Sequence, residues 1–162
     1  ARHDSRASGL PALADDSGLC VDALDGAPGV RSARFWADAK IAGQVDPHVA
    51  LELSRISTDE ANLRWLIARL RMLNAFAVDQ TMAHYCAAIA YVRSADDPSP
   101  VMVSGQWHGR IIESPRGSNG FGYDPIFFDP TMDCTAAEMS IAEKQSVSHR
   151  GKALRALFCE LI

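Results

Sequence analysis

Cysteine is scarce in this 162-residue chain, and nothing in the sequence gathers it. Cys20, Cys86, Cys134 and Cys159 lie far apart and form no C-x-x-C pair, which argues against a zinc site or a disulfide scaffold and fits a reducing cytoplasm. No lysine- or arginine-rich block is present and the formal net charge is -4, so a nucleic-acid polymer is not the expected partner. A small anionic substrate stays compatible, because a few local cations or a metal ion override net charge. No apolar run approaches membrane-spanning length, and the start lacks a signal-like pattern. There is no Walker-type G-K-[ST] and no serine in a recognisable nucleophile elbow. His3, His48, His84 and His108 show no metal-ligand spacing and are expected at the surface or hydrogen-bonded in the core. Trp36, Trp65 and Trp107 read as core or interface residues. The chain starts Ala1-Arg2-His3 with no initiator Met, as a fragment would.

What is present is an ordinary globular composition, 48% hydrophobic and 22% charged, at a length that favours residues 1–162 as a single domain. Arg2 to Ser8 reads as the tail of a helix stopped by Gly9. Ala12-Leu13-Ala14 and Leu19-Cys20-Val21 read as short buried strand segments around the polar break Asp15-Asp16-Ser17-Gly18. Residues 37–59 are polar without a firm period, and suggest a loop or irregular helix, inserted into the fold. Leu63, Leu66, Ile67, Leu70 and Leu73 fall at helical spacing and predict a helix over 61–73. Tyr85 to Val92 is a buried strand by composition. Val101, Val103, Gly105 and Trp107 alternate with polar residues and predict its hairpin partner. Ser140-Ile141-Ala142-Glu143 has capping-box spacing, and a last helix from about Ser148 places Ala153, Leu154, Leu157, Phe158 and Leu161 on one face. Strands mixed with helices make this an α/β or α+β chain.

Three groups carry chemistry. Asp15 and Asp16, at the end of an apolar run, are costly to bury unless they bind a cation or accept hydrogen bonds. Their hard oxygens suit Mg²⁺, although a solvated Asx turn explains them equally well. Lys144, His149 and Arg150, with Ser146 and Ser148 between them, form a donor group at a helix start, suited to an anion or a carbonyl-rich ring. An exposed basic helix start is the plainer reading. The third group is Gly117-Ser118-Asn119-Gly120-Phe121-Gly122-Tyr123-Asp124-Pro125. Here Phe121 offers a stacking face and Asp124 an acceptor for a ring N–H, unless both aromatics pack into the core. The loop has no lysine, so it reads as a wall for a base rather than a phosphate cradle.

Taken together, Leu13-Ala14-Asp15-Asp16-Ser17-Gly18-Leu19, Gly26-Ala27-Pro28-Gly29-Val30 with Ser32-Ala33-Arg34-Phe35, Gly120 to Phe127, and Glu143-Lys144 with Ser148-His149-Arg150-Gly151 resemble the inosine/xanthosine triphosphate pyrophosphatase family. The resemblance implies a homodimeric α/β fold with a long twisted mixed sheet and two lobes around a nucleotide cleft. It implies Mg²⁺-dependent hydrolysis of ITP, dITP and XTP to monophosphate and pyrophosphate in the cytoplasm, with no membrane partner. Asp16 matches the family's metal ligand and proton acceptor, and Asp15 stands beside it as a second candidate for either role. Ser17, Phe121, Gly122, Tyr123, Asp124, Lys144, His149 and Arg150 match substrate-binding positions. A pyrophosphatase for other modified nucleotides is the alternative, as is a nucleotide-binding fragment without catalysis. The family's T-G-N-x-x-K phosphate loop and metal-sharing Glu have no counterpart here, and residues 37–59 run longer than the family pattern, as an insertion near the dimer surface would.

Overall fold

A computed structural model describes residues Ala1–Ile162. In chain order the elements are α1 (Arg2–Ser8), β1 (Ala12–Val21), β2 (Pro28–Gly29), α2 (Phe35–Ile41), α3 (Pro47–Leu53), α4 (Thr58–Met72), β3 (Met82–Val92), β4 (Val101–Ile111), β5 (Phe127–Asp129), β6 (Cys134–Thr135), α5 (Ile141–Val147) and α6 (His149–Leu161). The strands make one six-stranded sheet in the order β2-β1-β3-β4-β5-β6, so the expected α/β class is the one observed. β2 runs antiparallel to β1 with Leu19 opposite Gly29, and β5 antiparallel to β4 with Arg110 opposite Phe128. β6 pairs antiparallel with β5 through Thr135 and Phe128. No helix is long and apolar enough to cross a membrane.

The chain resolves into two compact units. The first comprises Ala1–Ser17, Tyr85–Trp107 and Ala142–Ile162, the second Gly18–His84 and His108–Ile141.

In the first unit, α1 ends where Gly9 takes a left-handed φ of 71° and its N–H bonds the Ser5 carbonyl, as the sequence predicts. The turn between β3 and β4 is organised by Asp97, whose carboxylate accepts from the Arg93 and Ser99 amides at 2.8 and 2.9 Å. Those amide bonds hold its pKa below the usual carboxylate value. Helix α6 lays Ala153 and Leu157 against Ala87 and Ile89 of β3. Gly105 of β4 makes that approach possible, since a Cβ there would lie 2.3 Å from the His149 carbonyl oxygen. Ser148 separates α5 from α6 by capping α6, its Oγ accepting from the Gly151 amide at 3.2 Å. The predicted apolar face of α6 is only half realised: Ala153 and Leu157 are buried, whereas Phe158 is 64% exposed and Leu161 is exposed too.

The second unit holds α2 and α3, whose bounds no periodic pattern in the sequence marks. Of the two expectations for residues 37–59, loop or irregular helix, the second holds: they form most of α2 and all of α3, joined by short turns, then lead into α4. Asp46 caps α3 by accepting from the His48 amide at 2.8 Å, with Pro47 in the first turn. Trp36 of α2 meets Trp65 of α4 edge-on, centroids 5.9 Å apart, within a core that includes Ala39, Leu53 and Ala61. Asn62 ties the pair further, accepting from the Trp36 amide at 2.8 Å and donating to the Ala33 carbonyl at 3.2 Å. Helix α4 starts at Thr58 behind the Ser57 cap and buries Leu63, Leu66, Ile67 and Leu70 as predicted, but leaves Leu73, beyond its last turn, exposed.

β1 also departs from expectation. It is one continuous ten-residue strand, and Asp15 and Asp16 lie in its middle rather than at the end of a buried run. The strand is exposed over its first half and buried only toward Leu19 and Val21, so the polar residues need no break in the backbone. At Gly18 a Cβ would stand 2.2 Å from the Gly29 carbonyl oxygen of β2.

Candidate functional site

The first unit gathers Asp15, Asp16, Ser17, Lys144, His149 and Arg150. Successive side chains of a strand point to opposite faces, so Asp15 and Ser17 share one face of β1 and Asp16 takes the other. The hydrogen bonds agree. Ser17 Oγ donates to Asp15 Oδ1 at 2.9 Å, and Arg150 Nε makes a short charge-assisted hydrogen bond to Asp15 Oδ2. Asp16 is exposed, and its carboxylate enters no hydrogen bond or ion pair of the chain. One acid is therefore anchored to the start of α6 while its neighbour is available.

His149, the first residue of α6, is 6% exposed and lies against Tyr85 of β3 with ring centroids 4.7 Å apart and planes 11° from parallel. Trp107 of β4 continues the stack at 6.5 Å and 16°. Burial pushes the imidazole pKa down to about 4, and the positive charges of Arg150, Lys144 and Lys152 push the same way against the opposing pull of Asp15. His149 is thus neutral at pH 7, with one donor and one acceptor nitrogen. Its Nδ1 is buried with no partner in the chain, a cost of about 1–3 kcal/mol unless something supplies one. Lys144 is half-buried on α5 rather than at the start of α6; α5 ends at Val147, and Ser148 caps α6.

The second unit holds the glycine loop. Gly117, at φ 80°, approaches Ala137 so closely that a Cβ would meet its carbonyl at 2.4 Å. The Ser118 and Asn119 amides both bond the Ala137 carbonyl, and Asn119 Nδ2 reaches the Met139 carbonyl at 3.1 Å. Tyr123 is buried, and its hydroxyl donates to the Ser32 carbonyl at 2.9 Å. Burial first, then the negative charge of Asp59, raises its pKa. Asp124 is buried as well, its Oδ2 accepting from the Phe121 amide at 2.8 Å, and the Gly122 amide donates to Asp59 Oδ2 at 3.0 Å. On this fixed frame Phe121 is 63% exposed. Of the two loop aromatics, Tyr123 packs into the core and Phe121 does not.

Sequence reasoning passed over four residues that build these groups. Tyr85 and Trp107 pack against His149 and against each other, and Asp59 and Ser32 hold the glycine loop. Tyr85 and Trp107 sit at inward positions of two strands predicted as neighbours, which is the one signal that could have found them. Asp59 and Ser32 lie 63 and 91 residues from their partners, beyond any local pattern.

Comparison with known proteins completes the picture. The profile of the Ham1 family matches residues 1–159. The dITP/XTP pyrophosphatase of Burkholderia pseudomallei is 49% identical over 161 residues, covering 99% of this chain and 68% of that protein. The dITP/XTP pyrophosphatase of Escherichia coli O157:H7 is 43% identical, covering 97% and 70%. Among solved structures, a HAM1 protein from Coxiella burnetii superposes with a TM-score of 0.78 at 39% identity, covering 99% of this chain and 72% of its own.

Proposed function

Because the chain belongs to the Ham1 family, we propose that it hydrolyses non-standard purine nucleoside triphosphates, dITP, ITP and XTP, to the monophosphate and pyrophosphate. The observation that carries this reading is the 49% identity with a dITP/XTP pyrophosphatase along 99% of the chain. In the reaction, water adds to the α-phosphorus and the α–β bridging oxygen leaves with pyrophosphate. Asp16 is the catalytic acid–base candidate: its carboxylate orients the attacking water and accepts its proton. The exposed, unpartnered oxygens of Asp16 also fit Mg²⁺, which when bound neutralises charge on the triphosphate. Asp15 fits that ion less well, because it faces the other side of β1 and is engaged by Ser17 and Arg150.

Base selection follows from donor and acceptor types. Hypoxanthine and xanthine present an acceptor at O6 and a donor at N1, and adenine presents the reverse. Donors from His149 and Arg150 meet O6, and their mismatch against adenine leaves buried groups unpaired, which rejects a ligand by orders of magnitude. Guanine shares both groups, so its rejection rests on a poor fit for the 2-amino group. Phe121 stacks on the purine, with Gly122, Tyr123 and Asp124 holding its loop, while Lys144 and Ser17 contact phosphate or ring. The reading includes a homodimer and a cytoplasmic setting, as the resemblance implies. Pyrophosphate release from a panel of triphosphates with Mg²⁺ tests it. dITP, ITP and XTP should turn over fastest. Preference for a modified pyrimidine triphosphate would transfer the activity to other damaged nucleotides, and no turnover of any triphosphate would overturn it.

A further inference from the structure

Helix α6 meets β3 in register. His149, Ala153 and Leu157 recur every four residues on one face of α6, and Tyr85, Ala87 and Ile89 recur every two on one face of β3. Ala153 and Leu157 pack on Ala87 and Ile89, so His149, one turn earlier, falls on Tyr85. The backbone of His149 is set without any ring. Ser148 caps the helix, and the bare Cα of Gly105 lets the His149 carbonyl close on β4. What remains is the terminal torsion of the imidazole, which is broad for an sp³–sp² bond. An aliphatic residue such as Ile89 would satisfy burial alone. Position 85 instead carries an aromatic ring, 8% exposed and 11° from parallel to the imidazole. Trp107 stacks on Tyr85 in turn, centroids 6.1 Å apart at 24°. Three aligned planes fix the edge that the imidazole presents.

The two ring nitrogens of His149 are not equivalent. Nδ1 is sealed without a partner, and Nε2 is not. The neutral ring carries one proton between them. On Nδ1 that proton would be an orphaned donor; on Nε2 it is a donor that a ligand can use. We propose that Tyr85, backed by Trp107, is a positioning residue for base selection, holding the His149 imidazole so that Nε2 presents its N–H to the carbonyl acceptor of a 6-oxopurine. This role rests on the hydrolase reading above and adds to it which nitrogen reads the base and which ring aims it. Against a 6-aminopurine the same N–H meets another donor and stays unpaired.

Long-range ¹H–¹⁵N correlation spectra of protein labelled with ¹⁵N-histidine test the first half, with His149 assigned by the signals lost in His149→Phe. At pH 7 the wild type and Tyr85→Phe should show a single Nε2–H tautomer, and Tyr85→Leu a mixture of the two. Steady-state kinetics with dITP and dATP test the second half. Tyr85→Leu should lower the dITP over dATP preference in kcat/KM by about fivefold to tenfold, through the KM for dITP more than through kcat, and Tyr85→Phe should restore it. Should Tyr85→Leu fail to fold by circular dichroism, Tyr85→Met is read the same way, and the wild-type tautomer decides independently of either. An Nδ1–H tautomer in the wild type would overturn the proposal. So would an unchanged preference in folded Tyr85→Leu, which a merely structural role for the ring predicts. Wild-type protein that turns over dITP no faster than dATP would instead overturn the hydrolase reading, and this role with it.

Discussion

Asp16 and Asp124 are the same residue type in opposite circumstances. Asp16 stands on an exposed strand with no partner in the chain, whereas Asp124 is 3% exposed with an oxygen on the Phe121 amide. The regions around them differ in the same way. Around β1 and the start of α6, regular elements present charged groups outward. In the glycine loop the polar groups are consumed in holding the backbone, and the side chain left exposed is an aromatic ring. The contrast teaches that a motif's acids cannot be assigned one role. One is available for chemistry because nothing in the fold needs it, and the other builds the surface on which chemistry is set.

The contrast is sharpest for Asp16→Asn, which should lower dITP turnover by about a thousandfold with no more than about 0.5 kcal/mol change in stability, measured by pyrophosphate release and urea unfolding. Turnover near wild type would remove Asp16 from the reaction.

His149 gives the next largest effect, and its sign can be worked out. The folded pKa of about 4 lies below the ordinary 6.5, so between those values the unfolded chain binds a proton that the folded chain does not. Stability contributed by the neutral buried ring is intact above pH 6.5 and falls as the pH drops toward 4, by up to about 3 kcal/mol. Urea midpoints measured from pH 7 to 4 should fall steeply in the wild type and less steeply in His149→Phe, which keeps a ring against Tyr85. Equal slopes would refute the neutral, buried histidine.

The smallest effects come from splitting the loop. Asp124→Ala orphans the Phe121 amide and should cost about 1–3 kcal/mol in thermal or urea unfolding. Phe121→Ala, three residues away, should change stability by less than about 0.5 kcal/mol while raising the KM for dITP. If Phe121→Ala is the more destabilising of the two, the exposed ring is part of the core and not of the binding surface.

Sequence patterns served where burial is periodic. The leucines of α4, the alternation of β4 and the Ser148 cap all announce their elements, because each is stabilised by what lies within a few residues. α2 and α3 are short and largely polar, and what holds them is distant: Trp65 against Trp36, and Asn62 on the Trp36 amide. The acids of β1 obscured a strand because exposed strands carry polar residues freely, and Phe158 was misplaced because nothing covers that end of α6. For the site, motifs named the residues but not their surroundings. The ring stack beneath His149 and the Asp59 and Ser32 contacts exist only once the chain has folded.

Gly18 carries a last consequence. Its missing side chain is filled by the Gly29 carbonyl of β2, and Leu19 pairs with Gly29 in the same ladder. A slip of β1 by one residue would bring Ser17 or Leu19 to that point, where no side chain fits, and would also turn Asp16 to the face now held by Asp15. Which acid is presented and which is anchored is therefore fixed by an atom that is absent two residues away. Gly18→Ala is forecast to lower the urea midpoint, because its Cβ meets the Gly29 carbonyl oxygen in this register and a slip would only set a larger side chain there.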